Sequence, residues 1–163
     1  MWPGWPKARS AEPGEAADRY FVRAGDVLFR SRGERNTASA LDARFVEPAV
    51  AVLPLLVLRP KRDVVTPEYL AWAINQPAAQ RHFDETAYGA SIRMVPRSSL
   101  DDLELDIPDI AVQEKIVAID ALAERERELS ILAAEGRRRL ASMILAERAK
   151  CMRPTAGRER TTK

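Results

Sequence analysis

The sequence predicts a mixed α/β domain followed by one long C-terminal helix. Three observations carry this expectation. Between Tyr20 and Ile107, short β-prone runs alternate with short helical ones. At Ile107-Pro108 a strand gives way to a helix start within a few residues. From Val112 to Lys150 there is no proline, and the one glycine is Gly136. At 1.5 Å per residue that helix is on the order of 55 Å long, about the span of two small domains. It is therefore expected to project beyond its own domain, and an apolar projecting helix needs a partner.

Taken in chain order, the elements rest on local signals. Residues 1–19, with the Trp-Pro-Gly-Trp-Pro opening and a Ser-Ala-Glu-Pro-Gly stretch, read as a disordered lead-in. Tyr20 to Phe29 reads as a turn at Ala24-Gly25-Asp26 followed by a strand. Arg30 to Ala43 is polar and reads as a loop or weakly paired strand end. Val46 to Val57 is rich in β-branched residues and leucine, and Pro54 divides it into two short strands or kinks it at an edge.

Thr66 is a good N-cap, Pro67 suits the first helical position, and Glu68 suits the first turn. Leu70, Ala73 and Ile74 then form the buried face of a helix ending near Gln76. Pro77 opens a second short helix reaching about Asp84, in which Phe83, like Trp72 before it, reads as core. Tyr88 to Val95 is a glycine-containing loop leading into a strand. Ser98 to Leu103 is a turn, and Leu103 to Ile107 the last strand. This bounds an α/β domain at 20–111, a helix at 112–150 and a disordered basic tail at 151–163.

Composition narrows the function classes. Hydrophobic residues make up 46% and charged residues 31%, values of a soluble globular chain. The net charge is only +2, so any nucleic-acid contact must come from local clusters. The single cysteine, Cys151, excludes an internal disulfide and fits a reducing cytoplasm. The longest apolar run, Ala49 to Leu58, is interrupted by Pro54 and is too short to span a bilayer. No membrane partner is expected.

The long helix carries a broad apolar stripe. Ile119, Glu126, Ala133 and Leu140 share one heptad register, and Leu122, Leu129, Gly136 and Met143 the other. Ile116, Ala123, Leu132 and Ile144 widen the stripe beyond a two-helix seam, which suits two helices or a broad antiparallel partner. The expected interface is Ile116, Ile119, Leu122, Leu129, Leu132, Leu140 and Met143. Charge is segregated along the helix. Val112 to Glu135 holds six acids and three bases, whereas Gly136 to Lys150 holds five bases and one acid. That order matches the helix macrodipole, and an antiparallel copy would set acidic half against basic half. Glu135 is placed to pair with Arg138 or Arg139.

Leu103-Glu104-Leu105-Asp106-Ile107-Pro108-Asp109-Ile110, followed by Gln113-Glu114-Lys115-Ile116-Val117, resembles the element closing the target recognition domain of DNA specificity subunits in type I restriction–modification systems. Gly25-Asp26-Val27-Leu28-Phe29-Arg30, Thr66-Pro67-Glu68-Tyr69-Leu70-Ala71-Trp72 and Tyr88-Gly89-Ala90-Ser91-Ile92-Arg93 fall in that family's order. The resemblance covers about Val22 to Met143. Asp109 stands where the family usually has a second proline, and Ala111-Val112 replaces a more polar helix start. One recognition domain and one long helix are present where full-length subunits carry two of each, and the N-terminal part is shorter by several tens of residues.

The resemblance implies a non-catalytic subunit with no cofactor of its own, reading one half of a bipartite site in double-stranded DNA. The methyltransferase subunits it docks would bind S-adenosylmethionine. A restriction/translocase subunit, and itself or a second specificity half-subunit, complete the implied partners in the cytoplasm.

Two clusters are the candidate DNA contacts. Arg30-Ser31-Arg32-Gly33-Glu34-Arg35-Asn36-Thr37 gathers three arginines and short hydrogen-bonding side chains. Arginine bonds guanine bidentately, asparagine does so with adenine, and Thr37 and backbone amides near glycine suit phosphates. On the residues alone, a solvated loop whose arginines pair with Asp26, Glu34 or Asp42 remains open. The second cluster is Tyr88-Gly89-Ala90-Ser91-Ile92-Arg93, extended to Arg97, with Gly89, Ser91, Arg93 and Arg97 as its expected contacts, in a stretch from Thr86 to Leu100 that contains no acid. Its alternative is a strand edge with surface arginines.

Enzymatic readings fare poorly. Pro108-Asp109 followed by Gln113-Glu114-Lys115 has a faint likeness to a metal-dependent nuclease pattern, but glutamine occupies the acid position and the gap is too short. His82 is the lone histidine, with no cysteine nearby to complete a metal site. No catalytic and no metal residues are expected. Two non-enzymatic alternatives stay open: a coiled-coil oligomerisation module without a DNA role, and a truncated non-functional fragment.

Overall fold

The computed structural model describes residues 20–151 except Glu34, Pro48 and residues 90–92. The lead-in at 1–19, the tail from 152 onward and Ser91 lie outside the described residues. The chain divides into two units, residues 1–118 and 119–163.

The first unit is built on β2 (Val27–Arg30), flanked antiparallel by β3 (Ala38–Ala40) and β5 (Leu55–Leu58). Phe29 lies opposite Ala38 on one side and Leu56 on the other. A second, two-stranded sheet joins β1 (Phe21–Val22) to β4 (Ala49–Val50). Three helices follow: α1 (Pro67–Ile74), α2 (Pro77–Thr86) and α3 (Arg97–Asp101). The period-2 alternation of β2 splits its side chains between two cores. Val27 and Phe29 pack with Ala38, Ala71, Ile74, Ala79, Phe83 and Val95 beneath α1 and α2. Leu28, from the opposite face, packs with Val22 and Ala51.

Local chemistry explains the boundaries. Gly25 turns the chain at φ +87°, and the Asp26 carboxylate accepts from the Arg23 amide at 2.9 Å while pairing with Arg59 at 3.4 Å. The two strands expected around Pro54 are β4 and β5, and the weakly paired strand end after Arg30 is β3. Thr66 caps α1 by accepting from the Tyr69 amide, with Pro67 at the first helical position. The turn expected at Ser98–Leu103 is mostly the short helix α3. Phe83 is core and stacks at 5.0 Å on Phe29, while Trp72 is half-buried.

The last expected strand, Leu103 to Ile107, is a correction: among the described residues it pairs with no other strand. Its alternation is real, since Leu103 and Leu105 pack against the core while Glu104 and Asp106 are exposed. Its backbone is instead held by a side chain, because the Tyr69 hydroxyl donates to the Asp106 carbonyl at 2.7 Å. Burial, and then the Asp106 charge, push the Tyr69 phenol above its ordinary pKa. Tyr69→Phe should destabilise the domain by about 1 kcal/mol in denaturant titration. The neutral phenol is the form favoured on folding. That part of the stability is full below the ordinary tyrosine range and is lost as pH climbs through the raised folded value. The gap to Tyr69→Phe should therefore narrow in strong alkali.

α4 (Ile110–Cys151) runs 42 residues. Its first turn belongs to the first unit, where Gln113 is fully buried. Gln113 Oε1 accepts from the Thr66 amide at 2.8 Å, and Nε2 donates to the Val64 and Pro108 carbonyls at 2.9 and 2.7 Å. One side chain thus clasps the start of α1 and the start of α4.

In the second unit, α4 carries ion pairs Arg127–Glu124 at 2.6 Å, Arg125–Glu128 at 3.2 Å and Lys150–Glu147 at 3.8 Å. The pair expected between Glu135 and Arg138 or Arg139 does not form among the described residues. Ile119, Leu122, Leu129, Leu132, Leu140 and Met143 are all exposed, and Ile116 is half-buried. No helix among the described residues is long and apolar enough to cross a membrane.

Candidate nucleic-acid interface

The two clusters singled out from the sequence lie far apart along the chain, and the fold joins them. Arg32 forms an antiparallel bridge with Met94, and Met94 forms a second one with Tyr88. The Gly33 amide donates to the Arg93 carbonyl at 3.2 Å, and the Val95 amide to the Ser31 carbonyl at 2.8 Å. Tyr88 and Met94 exchange both backbone bonds, at 3.1 and 2.9 Å. Ser31 is anchored from behind, its amide and its hydroxyl both donating to the Pro54 carbonyl at 2.9 and 2.8 Å.

This pairing sorts the side chains by face. Residues directly opposite one another in an antiparallel pair point the same way, and neighbours along the strand point oppositely. Ser31 and Val95 are buried, so their face is the core. Arg32, Met94 and Tyr88 therefore share the outward face, and the Tyr88 hydroxyl reaches Met94 Sδ at 3.6 Å. Arg93 falls on the inward face at the edge. There it is taken up by α2, with Nη1 on the Asp84 carboxylate at 2.9 Å and Nη2 on the Asp84 carbonyl at 2.5 Å.

The other expected contacts have mixed placements. Arg32 and Arg35 are exposed and enter no side-chain hydrogen bond or ion pair among the described residues. Arg30 is half-buried, donating through Nε to the Arg32 carbonyl at 3.0 Å. Its guanidinium lies against Gly33, which sits at φ +131°. Asn36 departs from its expected role. It is 8% exposed, and its Nδ2 donates to the Arg30 carbonyl at 3.1 Å. Its backbone carbonyl accepts from Gln80 Nε2 at 2.9 Å, so the residue is held within the loop by both its side chain and its backbone. Thr37 is half-buried, and its carbonyl accepts from the Arg30 amide at 2.9 Å.

Gly89 is exposed at φ +110°. Arg97 is separate from this ladder. It lies on α3, 3.9 Å from Asp101, beside a shallow apolar groove lined by Leu58, Leu70 and Leu103. His82, on the other side of α3, bonds the Ser99 carbonyl at 2.8 Å. No group of three His, Cys, Asp or Glu residues that could hold a metal ion occurs among the described residues. Sequence reasoning missed the separate roles of Tyr88, Asp84 and Gln113. Alternation next to the apolar Val95 puts Met94 on the exposed face, but its pairing with Arg32 and Tyr88 is not local.

Neither a protein-family model nor a curated protein matches the sequence. Among solved structures, the chain is similar to the HsdS subunit from Thermoanaerobacter tengcongensis, with a TM-score of 0.58 and 22% identity. The likeness covers 89% of this chain and 38% of that one, so the chain spans well under half the length of that subunit. The architecture shared, a mixed α/β domain with a long C-terminal helix, is that of an HsdS subunit.

Proposed function

We propose that the chain is a non-catalytic DNA specificity subunit of a type I restriction–modification system, reading one half of a bipartite duplex site. The observation that carries this reading is the HsdS fold, extending over 89% of the chain. The sequence pieces that resemble the specificity-subunit family support it, because contacts join them in space. Tyr69 of the Thr-Pro-Glu-Tyr piece bonds Asp106 of the closing piece, and Gln113 of the closing piece bonds Thr66. The outward Arg32, with Arg35 exposed nearby in sequence, supplies cations suited to phosphates and guanine edges.

In this reading α4 is the spacer and docking helix. Its exposed stripe pairs with a second copy or a second half-subunit, acidic half against basic half. S-adenosylmethionine belongs to the methyltransferase subunits it serves, and a restriction/translocase subunit completes the assembly in the cytoplasm.

The test is duplex binding by the chain assembled with its methyltransferase subunits. Arg32→Ala should cost about 1–3 kcal/mol on the correct site and relax base preference at one position. Arg35→Ala should weaken all sequences alike and lower the salt slope by about one unit. If both variants bind every duplex as wild type does, the Arg30–Thr37 loop is only a solvated surface and the reading loses its site.

A further inference from the structure

Resting on the DNA-reading proposal, we infer that Tyr88 is a specificity-determining residue: its ring contacts the C5-methyl group of a thymine, at a different base pair from the one met by Arg32. Tyr88 is 56% exposed although its backbone is doubly bonded to Met94. The ring is thus displayed from a backbone held by two hydrogen bonds, which lowers the ordering cost of a contact. Among the described residues its hydroxyl is turned to the thioether of Met94 rather than to an oxygen or nitrogen acceptor. What the side chain offers outward is therefore apolar ring surface.

The spacing follows from the ladder. Arg32 and Met94 form the close, non-hydrogen-bonded type of antiparallel pair, and Tyr88 and Met94 the wider, hydrogen-bonded type. Together these set Arg32 and Tyr88 about 10 Å apart on one face. At that separation the two side chains reach different base edges in a major groove. The one apolar group on a base edge in that groove is the thymine methyl. Arg93, though exposed, is paired with Asp84.

The test uses a random-sequence duplex library, selected with the full chain assembled with its methyltransferase subunits and repeated with Tyr88→Ala, Tyr88→Phe and Arg32→Ala. The wild-type chain should enrich a motif holding a thymine. Replacing that thymine by uracil, which removes only the methyl, should weaken binding about fourfold, as expected for one buried methyl. Tyr88→Ala should lose the thymine preference alone and be indifferent to uracil, while Tyr88→Phe behaves as wild type. Arg32→Ala should lose preference at a different position.

If Tyr88→Ala enriches the wild-type motif unchanged, or still senses the uracil exchange, the inference is overturned while DNA reading stands. Loss of binding by Tyr88→Phe would also overturn it, by pointing to the hydroxyl. A wild-type chain that enriches no sequence overturns the inference and the DNA-reading proposal together. Tyr88 contributes no core packing, and matched melting curves will separate a misfolded variant from one that has lost a contact.

Discussion

The double variant Leu122→Asp, Leu129→Asp should be monomeric where the wild-type chain self-associates or pairs with a homologous half. Leu122 is 70% exposed and Leu129 49% exposed on α4, and both lie in the register that also holds Gly136 and Met143. In a paired helix each aspartate would bury a carboxylate in an apolar seam, at a cost of several kcal/mol. Two such losses exceed what a helix pair of this kind retains. Light scattering across micromolar concentrations reads the result directly. A control outside the stripe, the exposed Asp120→Asn, should leave assembly intact. Should wild type be monomeric at high micromolar concentration and remain so with a second half-subunit, the stripe has another use.

Gln113→Leu should be the most damaging single change to the domain itself. The side chain is fully buried and its amide makes three bonds. Leucine fills much of the volume but strands the Thr66 amide and the Val64 and Pro108 carbonyls. The expected cost is about 3 kcal/mol, since each group deprived of its partner forfeits about 1 kcal/mol or more. For a domain of this size that lowers the melting temperature by about 10 °C or more. Gln113→Glu should also destabilise, because it keeps an acceptor for Thr66 but turns a carboxylate towards two carbonyls. The exposed neighbour provides the contrast, and Glu114→Gln should melt as wild type does. A Gln113→Leu protein with an unchanged melting curve would show that the clasp contributes nothing.

The elements legible in the sequence were those whose cause is local. Thr66-Pro67 announces a helix because cap and first-turn chemistry sit in adjacent residues, and α1 begins there. The proline-free run announces α4, which extends from Ile110 to Cys151. Two placements were set by non-local contacts. Leu103 to Ile107 alternates as a strand does, yet ladder pairing depends on a free neighbouring edge, and Tyr69 takes the Asp106 carbonyl instead. Asn36 has the chemistry of a base-reading residue, but its burial and its bond to the Arg30 carbonyl are set by how the loop folds back on β2.

The site shows the same division. Residue types within Arg30–Thr37 and Tyr88–Arg97 were legible, whereas their joining through Met94 and the removal of Arg93 by Asp84 required the tertiary structure.

The role proposed for this chain is to direct a methyltransferase to a DNA sequence. The most direct measurement is to map methylated bases in DNA from cells expressing the chain with its methyltransferase subunits, against the same cells lacking the chain. If two identical copies pair through α4, two-fold symmetry requires each to read the same half-site in opposite orientation. The account predicts methylation at one short sequence repeated in inverted orientation across a fixed, unread spacer, and its loss in the Leu122→Asp, Leu129→Asp variant. Methylation that is absent, or that is present without the chain and unchanged by it, would contradict the account.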